Sequence, residues 1–130
     1  LSCPLILRQA KAAIADLPAA LRGDLHVIAV SMDPANDSPA VLAKLAREHE
    51  IAAPQYSLVT GEPAEVERVL DDLGITRSRN PETGVIDHAN LFLLVDRDGR
   101  IAYRLTLGGR QQRWLTSALE VLLREASGGA

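Results

Sequence analysis

Cys3 and His88 are the residues of this chain best suited to soft-metal binding or thiol chemistry. Cys3 is the single cysteine and His88 is one of three histidines. Cys3 stands next to Pro4 and ahead of a run, Leu5 to Leu21, in which Leu7, Ala10, Ile14, Leu17 and Leu21 recur at helical spacing. Pro4 suits a first helical position, where its missing N–H would have had no partner. A thiol at such a start meets unpaired N–H groups and the positive end of the helix dipole, which favour thiolate, the form that attacks disulfides and binds soft metals. The commoner fate of a free cysteine is that of a small buried hydrophobe; the position beside Pro4 favours the reactive reading. A lone histidine such as His88 is more often a satisfied polar residue than a ligand. His26 alternates against the buried positions of its strand and His49 falls in the polar part of a helix, so both are expected in solvent. Met32, at a strand end, reads as core packing, and Asp33, Asn36 and Asp37 read as turn and cap residues.

The elements that must position these residues alternate along the chain. After the first helix, Gly23-Asp24 breaks it and Leu25 to Met32 is a nearly continuous apolar run, as in a buried strand. Ser38 is a good N-cap, with Pro39 opening a helix whose buried face is Val41, Leu42, Leu45 and Ala46 and which fades near Ile51. Gln55 to Val59 is a short strand. A third helix follows Pro63, with Val66, Val69, Leu70 and Leu73 on one side and Gly74 as its stop. Ile75 to Asp87 has no period and reads as a loop or a loose hairpin, of a length that is more often functional than idle. Ala89 to Val95 and Arg100 to Leu107 form an antiparallel hairpin across the Asp96-Arg97-Asp98-Gly99 turn. Gln111 to Ala126 is a closing helix with Trp114, Leu115, Ala118, Leu119 and Leu122 inward.

This order is the second part of an α/β sheet domain whose opening strands precede the sequence. A length of 130 residues and 47% hydrophobic content fit one domain, residues 1–130. A net charge of −3 without a basic run gives no footprint for nucleic acid, and four aromatics, Tyr56, Phe92, Tyr103 and Trp114, give little for bases to stack on. No run is long and apolar enough to cross a bilayer. The first residue is Leu1 rather than Met and Cys3 follows at once, so a preceding part is expected, with room for a targeting segment, an anchor or another cysteine.

Cys3-Pro4 at a helix start, Val-Ser-Met-Asp-Pro-Ala-Asn-Asp-Ser-Pro at 30–39, Leu-Val-Thr-Gly-Glu-Pro-Ala-Glu-Val at 58–66, Asp87-His88 and Leu-Val-Asp-Arg-Asp-Gly-Arg at 94–100 resemble the Sco/SenC family in one register over nearly the whole chain. The resemblance implies a thioredoxin-like fold, a central mixed sheet flanked by helices. It also implies copper, as Cu(I) or Cu(II), held by two cysteines of a Cys-x-x-x-Cys motif and a distant histidine. Cys3 then matches a motif cysteine, and a redox thiol if there is one, and His88 matches the histidine ligand. Cys3 stands at the family's separation between its second cysteine and the Ser-x-Asp-Pro turn, so the partner cysteine is expected four residues before it. The other register would put Leu7 at a ligand position, where it cannot bind copper. Two thiolates and an imidazole suit Cu(I), and hold Cu(II) when a weak ligand or water completes the set.

The implied partners are the oxidase subunit that carries the copper-A site of cytochrome c oxidase, to which copper is delivered or whose disulfide is reduced, and a thioredoxin-like reductant. The implied place is the periplasm, with a membrane tether supplied by a segment outside this sequence. A metallochaperone is expected rather than an enzyme, with thiol–disulfide reductase activity in reach. Two alternatives stay open. One is a thioredoxin-like oxidoreductase in which His88 is incidental and copper is not needed. The other is an interaction domain without the upstream cysteine.

Overall fold

The computed structural model of the chain describes residues 4–75, 77–83, 86–88, 91–106 and 111–125. In chain order the elements are α1 (Pro4–Ala15), α2 (Ala19–Arg22), β1 (Val27–Val30), α3 (Pro39–Glu48), β2 (Tyr56–Val59), α4 (Pro63–Asp72), β3 (Arg77–Arg79), β4 (Ile86–His88), β5 (Leu91–Val95), β6 (Ile101–Thr106) and α5 (Gln111–Arg124). They are the mixed α/β elements of a thioredoxin-like fold, gathered into two compact units: one built around His26–Ala89, the other from Leu5–Leu25 and Asn90–Ala130. No helix among the described residues is long and apolar enough to cross a membrane.

In the second unit the apolar stripe of α1 is buried as its spacing predicts, through Leu7, Ala10, Ala13, Ile14 and Leu17. Ala13 clusters with Leu94 of β5 and with Leu115, Ala118 and Leu122 of α5, and Phe92, Leu105 and Leu119 pack around them. The Thr116 hydroxyl reaches the Ala13 carbonyl, 3.1 Å, tying α5 to α1. The first helix is shorter than the expected run to Leu21. Pro18 disfavours the helical conformation of the residue before it, and the chain resumes as the short α2. Arg22 takes up carbonyls left open at the break, donating to Leu17 O at 2.9 and 3.1 Å and to Ala15 O at 2.8 Å.

β5 and β6 pair antiparallel, Leu91 with Thr106 through Leu94 with Tyr103. In the turn between them Asp96 Oδ1 accepts from the N–H of Asp98 and Arg100, and Gly99 takes φ 81°, a left-handed value that other side chains resist. Arg97 leaves this turn to donate to the Leu123 and Glu125 carbonyls at the end of α5. Trp114 was expected inward and is 55% exposed. The inward stripe is set by Leu115, Ala118 and Leu122, and Trp114 lies one residue, about 100°, around the helix from Leu115.

In the first unit β1 and β2 run parallel, Val27 opposite Tyr56 through Val30 opposite Val59. The strand is shorter than the apolar run Leu25–Met32, and Ile28 is 68% exposed rather than buried. Alternation places Val27, Ala29, Tyr56 and Leu58 on the face that α3 covers, and Ile28, Val30, Ser57 and Val59 on the other. Ser38 caps α3 by accepting from Val41 N–H, 3.2 Å, with Pro39 at the first helical position, as expected. Leu42 is buried, whereas Val41 on α3 and Val69 on α4 stand exposed at the margins of their apolar stripes.

The two helices of this unit stop in the same way. At the end of α3 Ile51 N–H bonds to Ala46 O and Glu50 N–H to Arg47 O; at the end of α4 Ile75 N–H bonds to Leu70 O and Gly74 N–H to Asp71 O. Both are Schellman closures with a buried isoleucine after the left-handed residue. In α4 that residue is Gly74, φ 72°; in α3 it is Glu50, φ 54°.

Candidate metal centre

Of the two expected ligands, Cys3 lies outside the described residues. What the structure does describe is the helix that follows it. α1 begins at Pro4 and has no acidic residue in its first turn to oppose an anion at that end. Leu7, four residues beyond Cys3, is a core leucine, 4% exposed, as the register that makes Cys3 the second motif cysteine expects.

His88 closes β4. The segment read as a loop or a loose hairpin is a hairpin: β3 and β4 pair antiparallel, Arg77 with His88, Ser78 with Asp87 and Arg79 with Ile86. Asn80 forms the turn, its Oδ1 accepting from the N–H of Glu82, 2.8 Å, and of Thr83, 3.3 Å. The backbone of His88 is thus fixed by a ladder.

The stretch between β1 and α3 holds Asp33, Asn36 and Asp37, and its geometry is that of a turn. Ser31, with 0% exposure, donates from Oγ to Asp37 Oδ2 at 2.7 Å and accepts from Asp33 N–H at 3.1 Å. Asn36 Nδ2 donates to Asp33 Oδ2 at 2.7 Å, and Asp37 N–H bonds to Asp33 O. Asp37 is 8% exposed. Sequence reading assigned turn duty to the acids and overlooked Ser31, whose position at a strand end six residues before an aspartate is the only signal it gives. No group of three or more His, Cys, Asp or Glu able to hold a metal occurs among the described residues.

His26 is exposed, as expected, with Nδ1 3.2 Å from Pro54 O. His49 was expected in solvent and is half-buried as the C-cap of α3. Tyr56 is the described titratable group with a clear shift: burial disfavours its phenolate and pushes its pKa above 10.0.

None of the curated proteins compared with the chain matches it. Among solved structures it is similar to Bradyrhizobium japonicum ScoI with copper bound, with a TM-score of 0.75, 23% identity, and coverage of 92% of this chain and 75% of that one. It is similar to Arabidopsis thaliana ScoI with copper bound, with a TM-score of 0.73, 18% identity and coverage of 95% and 74%. It is also similar to apo Sco1 of Thermus thermophilus in solution, with a TM-score of 0.62, 25% identity and coverage of 94% and 69%. These likenesses carry the fold. The sequence pattern of the SCO1/SenC family matches residues 2–123, a span that contains both Cys3 and His88, and the chain belongs to that family.

Proposed function

We propose that this protein is a copper metallochaperone of the Sco type, with Cys3 and His88 as metal ligands. Its cargo goes to the copper-A site of cytochrome c oxidase, or its thiols reduce the disulfide of that site. The observation that carries the reading is the family match over residues 2–123, a span that includes Cys3 and His88. Copper in two of the structurally similar proteins supports it. The donor chemistry fits as well: thiolate and imidazole are soft to borderline ligands suited to Cu(I), and a helix start favours the thiolate.

In the reductive branch, the Cys3 thiolate attacks one sulfur of the client disulfide and forms a mixed disulfide, releasing the client's other sulfur as thiolate. A second thiol, four residues before Cys3, then displaces the client sulfur, so two electrons pass from the thiol pair to the client. The proposed place of this work is the periplasm, beside the membrane, a reading that rests on the family resemblance alone. A copper titration of the protein beside Cys3→Ser and His88→Ala tests the reading. Stoichiometric binding is expected to be lost in both variants. Unchanged binding in His88→Ala removes the imidazole from the site, and unchanged binding in both ends the copper proposal.

A further inference from the structure

The turn between β5 and β6 holds the one Asp-Gly pair of the sequence, Asp98-Gly99, and the chain has no Asn-Gly pair. An aspartate carboxyl and the amide nitrogen of the next residue can close a succinimide ring, and glycine, without a Cβ, obstructs that closure least. The Gly99 nitrogen would bond to Cγ of Asp98, and the carboxyl would lose a hydroxyl that leaves as water with the amide proton. Water then opens the ring. Where it cuts the bond to the original backbone carbonyl, the chain runs on through the Cβ of residue 98 as isoaspartate, longer by a methylene; where it cuts the bond to Cγ, aspartate returns. Water is the only reagent, and Asp98 and Gly99 are both exposed to it.

The folded turn opposes the first step. For attack, the peptide plane between Asp98 and Gly99 must swing so that its nitrogen faces the carboxyl, and its proton must leave. Gly99 N–H instead donates to Asp96 O, 3.1 Å, and Asp98 N–H on the other side donates to Asp96 Oδ1, 2.9 Å. The same Oδ1 accepts from Arg100 N–H, 3.0 Å, and Asp96 N–H donates to Arg100 O, 2.9 Å. Arg97 ties the turn from outside through its bonds to the Leu123 and Glu125 carbonyls. We propose that this turn is a guarded isomerisation site: its bonding keeps Asp98-Gly99 from cyclising, and isoaspartate forms at Asp98 when the hairpin end opens. Local opening, not exposure, then sets the rate. The added methylene displaces Gly99 N–H from Asp96 O, so the product marks chains whose turn has been open. This inference does not depend on Cys3, His88 or metal.

The test is ageing of the 130-residue chain at neutral pH beside a synthetic peptide of residues 94–103 in the same buffer. Isoaspartate at 98 is scored by peptide mapping, as resistance to an endoprotease that cuts at aspartate. Cyclisation in the folded chain needs an opening that breaks the bonds of two amides, so it is expected to run at least about tenfold slower than in the peptide. Asp96→Ala, which removes the acceptor of Asp98 N–H and Arg100 N–H, is expected to speed it several-fold, and Asp96→Asn, which keeps an acceptor oxygen, to restore most of the protection. Arg97→Ala cuts only the tie to α5; it is expected to act in the same direction and keeps the test decisive should Asp96→Ala fail to fold. Amide exchange at Gly99 should quicken in step with isomerisation across the variants. Two results would overturn the proposal: equal rates in the folded chain and the peptide, or variants that free the Gly99 amide to exchange and leave the isomerisation rate where it was.

Discussion

Removing the Ser31 hydroxyl isolates the role of the Ser-x-Asp-Pro turn. Ser31→Ala leaves the backbone of β1 and almost the whole side-chain volume in place, so the cost is that of two hydrogen bonds. One is the 2.7 Å bond to Asp37 Oδ2, a bond to an acidic group that is 8% exposed and has little access to water in exchange. Bonds of that kind contribute about 1.5–3 kcal/mol. The other is the 3.1 Å bond from Asp33 N–H, worth about 1 kcal/mol. The expected loss is roughly 2–4 kcal/mol, a large share of a total stability of about 5–15 kcal/mol. Urea denaturation reads it as a lower midpoint at unchanged slope. A cycle with Asp37→Ala should show a coupling of about 1 kcal/mol or more, since the two side chains act as one unit. A loss below about 0.5 kcal/mol, or an additive cycle, would refute the claim that this pair holds the turn.

The twin helix stops give an internal control. Gly74→Ala should cost about 1 kcal/mol from backbone alone, because a Cβ there meets nothing within 4 Å, while Glu50→Gly removes a backbone cost of similar size; thermal melts check the loss in Gly74→Ala. Tyr56 holds its proton more tightly folded than unfolded. Between the two pKa values the folded state therefore binds more protons, and the contribution of Tyr56, complete below pH 10.0, is lost as pH rises past it. Tyr56→Phe should flatten that part of the stability-against-pH curve, and an unchanged slope would count against burial as the cause.

How far the fold was legible depended on whether local chemistry or tertiary context decided each element. Ser38-Pro39, Pro63, Gly74 and Asp96-Arg97-Asp98-Gly99 act through their own backbones, and each lies where its residue types put it. Apolar periodicity located the stripes of α1 and α5 but not their limits. Trp114 and Val69 continue a pattern that the packing does not use, because a stripe read from spacing is wider than the line of contact beneath it. The run Leu25–Met32 misled for a related reason. It reads as buried on both faces, yet α3 packs against one face of the β1–β2 pair and Ile28 points from the other. The β3–β4 hairpin was unreadable in detail because its strands are three residues long, too short for a period to show, and are set by pairing and by Asn80.

The proposed ligands were read from residue type rather than from arrangement, and the structure gives the Ser-x-Asp-Pro turn a role of its own. Ser31, Asp33, Asn36 and Asp37 spend their hydrogen-bonding groups on each other, which explains their spacing without any metal. His88 is fixed in backbone by the ladder to Arg77. Scaffold and ligand should therefore separate in experiment. Ser31→Ala is expected to lower the denaturation midpoint and leave the copper bound per folded molecule unchanged. His88→Ala, which keeps a backbone able to pair with Arg77, is expected to abolish stoichiometric copper binding. A Ser31→Ala protein that folds but no longer binds copper would join the turn to the metal centre and undo the division.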